Sequence, residues 1–216
     1  MMPHDRALQE AVLAELVWEP SINAAHIGVT ADAGVVTLSG HVENFLQKRN
    51  AEKATARVRG VKAVVEELLV KLALPLKYGD EEIARAALNR LDWEDSVPAG
   101  AVKVRVEQGW VTLSGLVEWH FQREAAEKVL RGMTGIVGIQ NDTTVKPHPV
   151  ASNIRAEIDA ALHRSRFDPD TITVTAEGGT VTLSGTVPTM SDRYIACQTA
   201  WNSKATSAVH NDLVVA

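Results

Sequence analysis

A chain of 216 residues with 45% hydrophobic and 23% charged residues has the composition of an ordinary globular protein, long enough for more than one domain. Its formal net charge of −5 argues against a general nucleic-acid binder, whose affinity would rest on neutralising phosphates. The one cysteine, Cys197, excludes an intrachain disulfide and a cysteine-rich zinc site, and no apolar run approaches the roughly 18 residues that span a bilayer.

The first predicted element is an amphipathic helix over about Asp5–Val17, read from the spacing of Leu8, Val12 and Leu16. Asp5, Glu10 and Glu15 interrupt any apolar signal-peptide core, and no nearby cysteine offers a lipid anchor, so the expected location is cytoplasmic. Trp18, at the end of this helix, is expected to close the core. Ile27, Val29 and Ala31 then alternate as a strand with one buried face, and Gly34 marks a hairpin turn. The returning strand presents Val36, Leu38, Gly40 and Val42 on its inner face. A glycine in mid-strand is unfavourable without a reason, and two reasons offer themselves: a helix packed too close for a Cβ, favoured by the unbroken alternation to Val42, or a bulge of the backbone. That second helix, about Phe45–Arg59, buries Ala51, Ala54, Thr55 and Val58 at i, i+3, i+4, i+7 spacing. A third strand carries Val64, Leu68 and Val70.

The same order returns twice. Val-Thr-Leu-Ser-Gly stands unchanged at Val36–Gly40, Val111–Gly115 and Val181–Gly185, at a spacing that marks copies of a small domain. The second copy has helices over about Glu81–Leu91 and Phe121–Gly132, strands starting at Val102 and Val111, and a last strand with Ile139, Thr143 and Val145. Trp93 takes the place of Trp18. The third has helices over about Ile154–His163 and Ser191–Asn202, strands from Ile172 and Val181, and a last strand with Val209, Leu213 and Val215. Phe167 is the nearest counterpart of the two tryptophans, and Gly115 and Gly185 share the expectation for Gly40. A hairpin followed by a helical crossover sets the third strand parallel to the second. The predicted fold class is α+β: three tandem α-β-β-α-β modules, each a three-stranded mixed sheet covered on one face by two helices. Leu74-Pro75-Leu76 and Pro147-His148-Pro149 divide the chain into residues 1–74, 75–149 and 150–216.

This order resembles the BON domain of bacterial OsmY-like and nodulation-associated proteins. The likeness is carried by the Val-Thr-Leu-Ser-Gly-x-Val strand and by Gly60-Val61-x-x-Val64, repeated as Gly135-Ile136-x-x-Ile139. The third copy departs from it with Ala205-Thr206. The resemblance implies a non-enzymatic module tied to phospholipid or envelope binding and osmotic stress, with no catalytic residues to transfer. Many relatives are exported, whereas this chain shows no export signal. Cytosolic relatives include potassium binders, so a cation or small-solute sensor stays open as an alternative.

The residues themselves offer no chemistry. The seven histidines share no repeat position and show no metal-ligand spacing, and Ser39, Ser114 and Ser184 repeat without a base. No enzyme, cofactor or metal is therefore expected. What varies between copies is the outer face of the second helix. In the first copy it is basic, with Lys48, Arg49, Lys53 and Arg57; in the second, mixed, with Glu124, Glu127, Lys128 and Arg131; in the third, aromatic, with Tyr194, Cys197 and Trp201. The basic face would attract an anionic phospholipid surface at about 1 kcal/mol per cation, with Tyr194 and Trp201 as apolar anchors. An envelope-bound partner could take the place of the lipid. The competing readings are a solvated basic face, an aromatic face packed on another module, and a protein–protein scaffold without lipid contact that uses Trp110, Leu116, Tyr194 and Trp201. Trp110 and Leu116, on the open face of their sheet, are expected at a module interface.

Overall fold

A computed structural model describes residues 3–72, 78–147, 153–164 and 171–216. In the first module helix α1 (Pro3–Trp18) leads through a short 3-10 turn into β1 (Ile27–Asp32), β2 (Val35–Val42), α2 (Phe45–Arg57) and β3 (Ala63–Val70). The second has α3 (Asp80–Asp92), β4 (Val102–Glu107), β5 (Trp110–Val117), α4 (His120–Leu130) and β6 (Gly138–Val145). The third has α5 (Ile154–His163), β7 (Ile172–Glu177), β8 (Thr180–Val187), α6 (Met190–Trp201) and β9 (Ala208–Val215). In each sheet the middle strand pairs antiparallel with the strand before it and parallel with the strand after the crossover helix. This is the α+β architecture expected. Leu74, Pro75, Leu76, His148, Pro149 and Phe167 lie outside the described residues.

Each core sits between a sheet and its two helices. In the first module Leu8, Val12 and Leu16 of α1 and Ala51 and Ala54 of α2 close on Val36, Leu38 and Leu68. The hairpins are tight turns with both central residues at positive φ: Ala33 and Gly34, Gln108 and Gly109, Gly178 and Gly179. Such turns leave amide groups pointing outward, and the first helix supplies their acceptor. The Asp5 carboxylate accepts from the Ala33 amide at 3.0 Å, and Asp80 accepts from Gln108 and Gly109 at 2.8 and 2.9 Å.

Two expectations need correcting. Trp18 and Trp93 do not close the core: they are 82% and 88% exposed. The chain turns after them, and Ile22 and Val97, four residues on, are the buried closures. The repeated glycines are not covered by a helix either. Gly40, Gly115 and Gly185 hold φ of 111°, 141° and 123°, and an added Cβ would fall on the carbonyl oxygen of His26, Ala101 or Thr171. That oxygen belongs to the residue just before the module's first strand, so the constraint is a backbone crossing and a left-handed φ, with no helix involved.

The third copy's departure is absorbed locally. Gly60 and Gly135 have positive φ, and Ala205 replaces them without it. Thr206 occupies the buried site of Val61 and Ile136, its hydroxyl donating to the Ala200 carbonyl at 2.9 Å.

Candidate functional site at the module joints

The three second helices meet. Their first residues, Phe45, His120 and Met190, stand five positions past the repeated glycine, and each reaches into a different neighbouring module. Phe45 joins the buried core cluster of the second module. His120 lies flat on Trp201 of the third module, ring centroids 4.2 Å apart and planes at 6°. Met190 packs against the core of the first. The joints run first to second, second to third and third to first, so the modules close head to tail in a ring around α2, α4 and α6. A surface groove at the first joint has Asn44 and Leu46 on one side and Arg131 and Met133 on the other.

The polar lining of the joints accounts for the divergence between copies. Glu124 Oε1 accepts from the Tyr194 hydroxyl and from Gln198 Nε2, both at 2.7 Å. Burial and the Glu124 carboxylate push the Tyr194 phenol up to about 12. Lys53 keeps much of its side chain in solvent. Partial burial and the nearby Arg131 and Arg49 nevertheless pull its ammonium below the ordinary lysine range, against the opposing pull of Glu127 and Glu124. The mixed and aromatic faces thus meet directly, and of the basic face Lys53 comes within electrostatic reach of Arg131, Glu127 and Glu124.

The basic face is accordingly not an open cationic surface. Lys48 donates to the Leu68 carbonyl at 2.7 Å and pairs with Glu66 at 2.8 Å. Arg49 pairs with Glu52 one turn on. Arg57 donates to Glu15 at 2.9 Å and Glu19 at 3.0 Å, tying α2 to the end of α1. Tyr194 and Trp201 are at the second joint, where the packing alternative had put them. The module-interface expectation for Trp110 and Leu116 is not met: they are 51% and 55% exposed on the outer sheet face. Trp110 lies across Gly138, whose missing side chain leaves it room.

Sequence reasoning missed one structural device. Eight residues past the repeated glycine each copy has a cation: Lys48, Arg123 and Arg193. Arg123 donates to the carbonyls of Thr143 and Asn141 at 2.9 and 2.8 Å, and Arg193 to that of Asn211 at 2.7 Å. Asn141 and Asn211 return a hydrogen bond to the arginine carbonyls. All three cations clamp the second helix to the third strand, and the signal was a charge kept at one repeat position. Cys197 is partly buried, and burial pushes its thiol up, away from reactivity. Among the described residues no group of three or more histidine, cysteine, aspartate or glutamate side chains is placed to hold a metal ion, and no helix is long and apolar enough to cross a membrane.

Fold and joints together define a chain of tandem small α+β modules that pack on one another through their second helices. The BON domain model matches residues 4–71, 79–147 and 151–216, and the chain belongs to that family. It is 34% identical over 146 residues to the osmotically-inducible protein Y of Escherichia coli (strain K12), covering 66% of this chain and 73% of that protein. That family is one of non-enzymatic stress proteins. Among solved structures, CdsD, a structural protein of the type III secretion system of Chlamydia trachomatis, aligns over 97% of this chain and 92% of its own at 18% identity, with a TM-score of 0.28. Its C-terminal domain aligns over 97% of each chain at 16% identity and 0.27. Superposition that loose carries no argument.

Proposed function

We propose that the chain is a non-catalytic, osmotic-stress protein of the cytoplasm that holds to a lipid surface through the tryptophans at the ends of its first helices. The observation that carries this reading is the exposure of Trp18 and Trp93, equivalent in the repeat and both almost wholly in solvent. An indole is amphipathic and suits the boundary between headgroups and acyl chains, and nothing in the module's own core needs it at this position. Val17, 74% exposed, adds apolar area beside Trp18. Joints made from equivalent residues in head-to-tail order favour a placement of both tryptophans on one side of the ring, and that placement is part of the proposal. Two anchors on one side bind a surface together far better than either alone. The likeness to an osmotically inducible protein supports the stress setting. The division at 1–74, 75–149 and 150–216 belongs to the same proposal, as three units of which the first two carry the tryptophan.

The charges near these tryptophans change what the lipid reading predicts. Glu15 and Glu19 beside Trp18 are occupied by Arg57, and Trp93 is flanked by Asp92 and Glu94. Binding through this side should tolerate salt and should not require anionic headgroups. Cosedimentation with zwitterionic and anionic vesicles, at low and physiological salt, tests it. We expect salt-tolerant binding that falls at least tenfold when Trp18→Ala and Trp93→Ala are combined. Binding that ignores this double substitution but falls with salt and with Arg49→Glu would return the basic helix as the lipid surface. The second reading, a protein scaffold, rests on Trp110 and Leu116, each more than half exposed at opposite ends of one strand on the outer face of the second sheet. Absence of binding to any vesicle would put it first.

A further inference from the structure

The three joints are built at equivalent places but not from equivalent chemistry. The residue that starts the second helix and enters the next module is phenylalanine in the first, methionine in the third and histidine in the second. Only the joint between the second and third modules is made by a side chain that can take up a proton. His120 is 7% exposed, with one face covered by the Trp201 ring. Its Nδ1 is buried without a hydrogen-bond partner. We infer that this joint is an acid-released clasp: protonation of His120 opens the ring between the second and third modules while each module stays folded.

The physical argument starts from the surroundings of the ring. A neutral imidazole presents one N–H and can leave its other nitrogen bare, whereas an imidazolium has two N–H groups to satisfy. Here the second would point from buried Nδ1 at no acceptor. From its own helix the ring is faced by Glu124, 3.9 Å from Nε2, and by Arg123; from α6 it is faced by uncharged Gln198 and Trp201. Glu124 is the one group that favours the proton, and it is already engaged by Tyr194 and Gln198. Desolvation dominates, with Arg123 acting in the same direction, and together they pull the imidazole down to about 4 from its usual 6.5. Closure therefore favours the neutral ring. Above pH 6.5 both open and closed states hold it neutral and the joint is at full strength. As pH falls from 6.5 towards 4 the open state takes up the proton first and is favoured by up to tenfold per unit, about 300-fold across the window. Phe45 and Met190 hold the other two joints through the same change.

Small-angle scattering of the full chain from pH 8 to pH 4.5, with far-ultraviolet circular dichroism on the same samples, tests the clasp. We expect the radius of gyration to rise below about pH 6 while the helix signal is retained. His120→Phe, which copies the first joint, and His120→Met, which copies the third, should each stay compact throughout. The clasp is overturned if the wild-type chain stays compact to pH 4.5. It is also overturned if both variants expand as the wild type does, or if helix signal disappears in step with the expansion. No lipid enters this experiment, so its outcome is independent of the tryptophan reading.

Discussion

Gly115→Ala is expected to cost about 3 kcal/mol or more of unfolding free energy, read as a lowered midpoint in urea. Two terms add. A φ of 141° lies where L side chains are strained, at about 1–2 kcal/mol. The new Cβ would also occupy the place of the Ala101 carbonyl oxygen, which is backbone and cannot swing aside as a side-chain tip could. Relief requires β4 and β5 to part at the Val102↔Gly115 pair, where the edge strand enters the sheet. Gly132→Ala supplies the contrast. No atom lies within 4 Å of its added Cβ and its φ is not in the left-handed range. There the substitution should be neutral or stabilise by up to about 1 kcal/mol through the unfolded chain. Equal effects at the two glycines would refute the backbone-crossing account.

The Gly115 case shows where the sequence was legible and where it stopped. A glycine repeated three times in mid-strand announced a constraint, and the period-2 pattern around it placed both strands. Its cause was not legible, because the atom that excludes a Cβ comes from a carbonyl whose position depends on sheet geometry. Trp18 and Trp93 were misread for a related reason. An aromatic at a helix end packs inward only if the chain continues along the core, and here it turns away so that Ile22 and Val97 enter. The second helices were read correctly on their inner stripes, where burial imposes period. Their outer faces have no period to read, since each is shaped by a different neighbour. The basic face answers to acids of its own module, whereas Glu124 answers to Tyr194 and Gln198 of the third, and complementarity between modules is invisible while each copy is read alone. Lys48, Arg123 and Arg193 could have been found, by asking which charges the repeat keeps rather than which it varies.

The joints also decide how the chain should unfold. With intact contacts the modules are coupled, and heating should melt at least the first two together. Phe45→Asp is expected to split that transition, with the second module melting well below the first. Phe45 is 5% exposed and belongs to the second module's core cluster, and truncating a buried phenylalanine costs about 3–5 kcal/mol. A carboxylate there adds the cost of burying an unpaired charge, which the chain avoids most cheaply by opening the joint. The first module's own core, built from Leu8, Val12, Leu38 and Leu68, keeps all its members when this happens. Helix α2 is not the casualty either. Asn44 still caps it, accepting from the Gln47 amide at 2.9 Å, and an acidic residue in the first turn of a helix is favourable. The lost stability should therefore fall on the second module and on the coupling, a pattern that differential scanning calorimetry separates into two peaks. Phe45→Leu, which keeps an apolar side chain in the same hole, should move the transition by a smaller amount without splitting it. One peak at the wild-type temperature for Phe45→Asp would mean that the joint contributes little, and the ring would then be an arrangement without energetic consequence. Two peaks would make the position five residues past each glycine the place where one module sets the stability of the next.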